Sequence, residues 1–328
     1  MKERTSETVN IFFTLSLFHS FALFFLIFTT QTCKIIFQPM QRRSFLKQSG
    51  LLTAGALTLN QTDLFANAPA KIINPFGAQL YSVRDVMPKD PKGVMTQLAQ
   101  MGYKQFESYS GPQGFLWGMQ PKEIKSFLDG LGVKMVSTHF NYRAEVDKPD
   151  QLKKSIEMAH DAGLTYLLCP FYGPQKTWDE WKKVADQFNT VGEEVKKAGL
   201  KFGYHNHDYS FRPLDGKLPQ DFLLDNTDPK YVMFELDLCW IDVAGVNTEE
   251  HLKKYGKRYE LCHVKDYTVK DGKPVQNDLG KGNVDFKKTL RIAMNSGIKY
   301  FLVEQEQYPE SSIISMKNDA EYMKQLSV

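Results

Sequence analysis

Cysteine is scarce, with four among 328 residues. One of them, Cys33, lies in the N-terminal segment, and so few cannot build a disulfide scaffold. Net charge is also nearly absent. Residues 1–68 hold six Lys/Arg and three Asp/Glu, which leaves 35 of each sign in residues 69–328 and accounts for the whole formal charge of +3. Bulk charge therefore indicates no basic surface for nucleic acid. The first candidate strand runs into Leu80-Tyr-Ser-Val-Arg-Asp, which lacks the glycine-rich turn that cradles a dinucleotide pyrophosphate. What is present is a globular composition, 42% apolar, 24% charged and 13% aromatic. It suits one large domain or two small ones.

The N-terminus reads as targeting sequence in two ways. Residues 11–30 form an apolar stretch about one bilayer long. A second segment opens with Met40-Gln-Arg-Arg-Ser-Phe-Leu-Lys, continues through the apolar run Leu51–Leu59 and ends in Ala66-Asn67-Ala68. A basic start, a short apolar stretch and an A-x-A site make a signal peptide. Arg42, Arg43, Phe45, Leu46 and Lys47 resemble a twin-arginine export signal. The segments conflict, because a membrane span at 11–30 with Lys2 and Arg4 inside would already place the paired arginines outside. The expectation is synthesis from Met40, with residues 1–39 an over-extended reading frame, residues 40–68 a cleaved signal and residues 69–328 a periplasmic protein. A membrane anchor at 11–30 is the alternative.

From Phe76 onward short apolar runs alternate with longer helical patterns. The spacing predicts strands at Gly77–Tyr81, Gln105–Tyr109, Lys134–His139, Tyr166–Pro170, Lys201–His207, Val232–Asp237, Tyr259–His263 and Tyr300–Glu304. It predicts helices at Gly93–Met101, Pro121–Leu131, Pro149–Ala162, Trp178–Ala198, Thr248–Tyr255, Phe286–Met294 and Ser312–Leu326. Gly102, Gly132, Gly163, Gly199 and Gly297 each follow a helix, where a left-handed residue ends it without a Cβ penalty. Parallel strands need crossover helices, so the alternation implies a parallel sheet. Eight such units in about 250 residues match a single (β/α)8 barrel. A doubly wound open sheet is the structural alternative.

Most of these strands end in side chains that are costly to bury: Glu107, His139, His205 and His207, Glu235 and Asp237, His263, and Glu304. In a barrel all C-terminal strand ends converge on one mouth. Residues two apart share a face, so His205/His207 and Glu235/Asp237 can point inward as pairs. Several carboxylates in one small mouth repel unless a cation relieves them. Histidine with carboxylate suits a divalent transition metal such as Mn²⁺, Zn²⁺ or Co²⁺. Asp237, His263 and Glu304, ending three successive strands, are the expected ligands. Glu107 and His139 divide between substrate contact and structural support. His160 and His251 fall on helices and read as structural. Cys169, Cys239 and Cys262 read as small buried apolar residues, since nothing nearby lowers their pKa.

The chain over Phe76–Leu326 resembles the xylose isomerase-like TIM-barrel superfamily, in its sugar phosphate isomerase/epimerase branch. The carriers are Ala78-Gln-Leu-Tyr-Ser, Tyr204-His-Asn-His-Asp, Glu235-Leu-Asp, His263-Val-Lys-Asp, Leu279-Gly-Lys-Gly-Asn-Val-Asp-Phe and Val303-Glu. The resemblance implies a metal held by Glu, Asp, His and Glu from strands 5 to 8. Asp237, His263 and Glu304 match directly, and His205 stands where the strand 5 glutamate is expected. That departure removes the usual pair of catalytic glutamates and leaves His207 or Glu304 for proton transfer. Lys265 is expected to face the mouth and bind a hydroxyl or oxyanion. Glu107, His139, Glu235 and Trp240 are expected substrate contacts, and Tyr81, Trp117, Phe140 and Tyr172 are further candidates to stack on sugar faces.

The expected activity is metal-dependent sugar isomerisation or epimerisation, by proton abstraction next to a carbonyl. The alternative is a lyase or hydrolase acting on 3-keto-glycosides with the same site. A non-catalytic sugar-binding module is disfavoured by the ionisable groups at the mouth. The metal-dependent endonucleases of the superfamily are disfavoured by the neutral charge of residues 69–328. Gly280-Lys-Gly lies where barrels bind phosphate but is a weak signal, so the expected partner is a free sugar, keto-sugar or glycoside, with no nucleic acid.

Overall fold

In the computed structural model, which describes residues 72–328, eight parallel strands close on themselves. They are β1 (Gly77–Gln79), β2 (Gln105–Tyr109), β3 (Lys134–His139), β4 (Tyr166–Cys169), β5 (Lys201–His205), β6 (Val232–Asp237), β7 (Tyr259–Val264) and β10 (Tyr300–Val303). Between the last two, β8 (Asp266–Lys270) and β9 (Lys273–Asn277) form an antiparallel hairpin. Neighbours along the chain pair in turn, and β10 closes the ring by pairing with both β7 and β1. This is the single (β/α)8 barrel that the alternation predicts. The apolar stretch at 11–30 and the expected signal segment at 40–68 lie outside the described residues. Among the described residues no helix is long and apolar enough to cross a membrane.

The crossover helices are α1 (Pro91–Met101), α2 (Pro121–Leu131), α3 (Tyr142–Glu145), α4 (Pro149–Asp161), α5 (Trp178–Lys197), α6 (Pro219–Asn226), α7 (Leu238–Val243), α8 (Thr248–Tyr255), α9 (Phe286–Ser296) and α10 (Ser312–Gln325). Their ends follow local chemistry. The Asp90 carboxylate accepts from the Gly93 N–H to open α1, and Gly102 closes it at φ +113°. A reciprocal Thr177/Glu180 capping box opens α5. That helix buries Trp181, Val184, Ala185, Phe188, Val191 and Val195, one face at helical spacing, on the outside of the barrel.

The barrel interior changes character along its axis. At one end Val136, Tyr166, Leu168, Met233, Leu261 and Leu302 form an apolar plug. Gly77 and Gly203 share this layer, and a Cβ on either would overlap Leu302 or Met233. Two residues further along the same strands stand Gln79, His205, Glu235, His263 and Glu304, all buried. The strand period of two thus carries each chain from the plug into a polar layer.

Candidate active site

Because inward positions recur every second residue, six strands deliver their ionisable groups to one place without any special loop. His139 Nε2 lies 2.9 Å from Glu235 Oε2 and 3.0 Å from Glu107 Oε1. His205 Nδ1 lies 3.0 Å from Glu235 Oε2. Both nitrogens of His263 meet carboxylates, Nδ1 at 2.8 Å from Glu304 and Nε2 at 2.8 Å from Glu107. The Gln79 amide donates to Glu107 at 2.7 Å and fixes that carboxylate from β1. Above this layer the Lys265 ammonium sits 3.1 Å from Asp237 Oδ2, 2.6 Å from Glu304 Oε2 and 2.8 Å from Glu306 Oε1.

The electrostatics follow from this packing. Burial opposes a charged His263, but Glu235, Glu304 and Glu107 outweigh it and hold the ring well above its ordinary pKa. The same contest raises His139 to about 9, with Glu107 and Glu235 as its partners. Burial and the neighbouring His263 instead push His205 down to about 4, despite Glu235. Burial, His205 and Lys265 together hold His207 well below the usual range, so its ring is neutral. Burial opposes ionisation of Glu304, yet Lys265 and His263 beside it keep its carboxyl well below the ordinary value. Asp237 is raised, because burial exceeds the help from Lys265 and His263. Lys265 is raised in spite of burial by Asp237, Glu304 and Glu306.

A cavity of about 400 Å³ opens above this cluster, lined by His139, His205, His207, Glu304 and Glu306 on its polar side. Tyr81, Tyr109, Phe140 and Phe171 line its apolar side. The structure brings His205, Asp237, His263 and Glu304 together, each offering a ligand atom within 4.8 Å of the others. A second, overlapping group is His139, His205, Glu235 and His263.

Several expectations shift. Glu107 and Glu235 are fully buried, bonded to histidine rings, and lie outside the cavity lining. Lys265, 1% exposed, is likewise buried and is paired with three carboxylates. Trp240 packs against His207, with ring centroids 6.0 Å apart, and under the Lys265 ammonium. Trp117 is buried and donates to Ser108 Oγ, away from the cavity. His251 bonds the Tyr259 hydroxyl in the core and His160 is exposed beside Asp161, so both are remote from the mouth. Burial pushes the thiols of Cys169, Cys239 and Cys262 up, consistent with small apolar packing. Glu306 and Gln79 went unread, although counting in twos from Glu304 and from the buried Gly77 would have reached both.

A model of the xylose isomerase-like TIM barrel family matches residues 95–326. The chain belongs to that family. An inosose dehydratase of Clostridium perfringens is 29% identical over 147 residues, 40% of this chain and 49% of that protein. The chain thus spans about half the length of that curated relative. A solved sugar phosphate isomerase/epimerase from Parabacteroides distasonis superposes with TM-score 0.65 at 26% identity, covering 79% of this chain and 94% of that one. A 3-keto-D-glucoside 4-epimerase from E. coli superposes with TM-score 0.61 at 14% identity, over 77% of this chain and 99% of that one, and shares the fold.

Proposed function

We propose that the protein is a metal-dependent carbohydrate isomerase or epimerase that removes a proton from carbon next to a sugar carbonyl. The observation that carries this reading is the charge imbalance of the mouth. Five buried or half-buried carboxylates, Glu107, Glu235, Asp237, Glu304 and Glu306, face Lys265, the one buried lysine or arginine among the described residues, and the rings of His139 and His263. A divalent cation offsets that excess. The donors fit one: Glu235 Oε1 is buried without a hydrogen-bond partner, and the buried Asp237 Oδ2 meets only the Lys265 ammonium at 3.1 Å. Two imidazoles and two carboxylates from His205, Asp237, His263 and Glu304 form a set suited to Mn²⁺, Zn²⁺ or Co²⁺. When bound, the cation polarises the carbonyl and stabilises the enediolate charge.

The remaining roles fall to the chain itself. His207, neutral and with its Nδ1 unpartnered, is available to take the proton. Glu304 is kept ionised by Lys265 and His263, and it sits at the end of β10, three places around the barrel from β5. Base and carboxylate therefore approach a substrate from different sides. Lys265 acts through the carboxylates that it holds. His139 borders the substrate, positioned by Glu107 and Glu235.

The dehydratase among its relatives supports a second reading, in which the same proton removal is followed by loss of a group from the adjacent carbon. Incubation of Mn²⁺-loaded protein with a 3-keto-glucoside panel in D₂O separates the two. Deuterium incorporation with the glycoside intact supports isomerisation, and release of the aglycone or of water supports elimination. Neither deuterium incorporation nor release from any substrate would exclude proton-abstraction chemistry.

A further inference from the structure

Among the described residues five large hydrophobic side chains are exposed: Ile72, Tyr81, Phe171, Val269 and Ile314. Two of them, Tyr81 at 37% and Phe171 at 49%, line the same cavity. Tyr81 reaches it from the 3-10 turn Leu80–Val83 that follows β1, where the Gln79 side chain accepts from the Tyr81 N–H at 2.9 Å. Phe171 follows Pro170 at the end of β4. The two rings come from strands three places apart around the barrel, so they flank the opening from separated positions. Both are held before any ligand arrives. Tyr81 stands edge-to-face on Tyr109 at 5.0 Å, with the Arg84 guanidinium 4.6 Å from its centroid. Phe171 stands perpendicular to His207 at 5.3 Å and to Tyr209 at 5.4 Å. Ring positions fixed in advance lower the entropic cost of binding.

The cavity thus has a polar floor of the buried His139, His205 and Glu304 and an exposed aromatic rim of Tyr81 and Phe171. A free monosaccharide, hydroxylated around its ring, uses the floor and leaves the rim aromatics wet. A ligand with a sugar at one end and an apolar ring at the other uses both. The volume, about 400 Å³, falls in the range that accommodates ligands larger than one hexose. We infer that Tyr81 and Phe171 form an outer subsite that receives the aglycone ring of a glycoside, while its sugar ring rests on the histidines and glutamates below. This rests on the carbohydrate reading given above, and it names the substrate class as glycosides with a cyclic, apolar-faced aglycone.

Titration calorimetry of the Mn²⁺-loaded protein with phenyl and methyl β-D-glucopyranoside tests the subsite. Stacking of one ring predicts that the phenyl glucoside binds about tenfold more tightly. Phe171→Ala should abolish that preference and leave methyl glucoside affinity unchanged. Phe171→Trp should restore it. Because Phe171 is half exposed, its truncation leaves the core intact. Equal affinities in the wild type, no binding of phenyl glucoside, or an equal loss for both ligands in Phe171→Ala would each overturn the subsite. So would a change of oligomeric state in Phe171→Ala without a change in glucoside preference, which would assign the ring to a contact between copies. The readout is binding and not turnover, so the subsite can fail while deuterium exchange persists, and proton-abstraction chemistry can fail while the phenyl preference persists.

Discussion

Replacing Lys265 by methionine keeps most of the side-chain volume but removes an ammonium that lies within 3.1 Å of Asp237, Glu304 and Glu306. The site is 1% exposed, so water cannot take over the role of that charge. Removing one partner of a buried ion pair costs about 3–5 kcal/mol, and three carboxylates lose their counter-ion here. For a domain of this size that is a fall of roughly 6–20 °C in melting temperature. A divalent cation held by Asp237 and Glu304 supplies the missing positive charge, so the variant should bind it more tightly than the wild type does. At a hundred times the dissociation constant, such binding contributes about 2.7 kcal/mol. Thermal unfolding followed by circular dichroism, in EDTA and in a fixed concentration of Mn²⁺, reads both effects. The variant should melt well below the wild type in EDTA and regain more than the wild type gains when Mn²⁺ is added. A melting temperature within about 2 °C of wild type in EDTA, or equal Mn²⁺ shifts in the two proteins, would refute the reasoning.

His205, which ends β5, and His207, two residues beyond it, should separate by assay. His207→Ala should keep stoichiometric metal and lose kcat by about 10²–10⁴, whereas His205→Ala should lose metal and His205→Glu retain it; metal analysis with initial rates decides, and metal loss in His207→Ala alone would exchange the two roles. Away from the mouth, burial raises Asp319 from 3.8 to about 8, with Asp278 and Asp266 adding to the rise and the Leu279 N–H opposing it. An acid whose folded pKa lies above its unfolded value holds its proton in the fold, so this group's contribution to stability falls as pH rises between about 4 and 8. Asp319→Asn keeps an acceptor for Leu279 N, 2.7 Å away, and its stability relative to wild type should rise by about 1.4 kcal/mol per pH unit in that window. Urea titrations at pH 5 and pH 7.5 measure this, and a pH-independent difference between the two proteins would sink it.

Most of the barrel was legible because its two periodicities are local. Strand interiors such as Val232–Asp237 and helix faces such as that of α5 declare themselves within a few residues, and glycine and capping residues mark the ends. The hairpin β8–β9 was not legible. It lies outside the barrel, its buried residues Asp266 and Tyr267 are adjacent instead of alternating, and Lys270, Lys273 and the 60% exposed Val269 complete it, so no period of two marks it. In the site, identity was legible but depth was not. Only His139 of the pair Glu107 and His139 reaches the cavity, because His139 ends β3 beside Tyr109 whereas Glu107 stands mid-strand in β2, one layer deeper, with Gln79 and His263 on its carboxylate. Lys265 is similar: its position two residues past His263 faces it inward, but the carboxylates that hold it below the cavity come from β6 and from beyond β10. Such contacts join residues far apart in sequence, and no local spacing encodes them.

The loop after the hairpin shows how a glycine pattern can serve structure instead of substrate. Leu279-Gly-Lys-Gly-Asn-Val occupies the stretch where barrels bind phosphate through free backbone N–H groups. Here the Asp266 carboxylate already accepts from Gly280 and Gly282 at 2.9 Å, from Val284 at 3.1 Å and from Tyr267 at 2.9 Å. A Cβ on Gly282 would collide with that carboxylate and with the Tyr267 carbonyl, so glycine is required by the close approach of the loop to Asp266. The donors that would grip a phosphate are therefore spent on an internal anion. Asp237, Glu304 and Glu306 beside Lys265 would also repel a doubly charged phosphate that approached the mouth. Both arguments support a substrate without a phosphate, in keeping with a neutral glycoside whose recognition is divided between a polar floor and an aromatic rim.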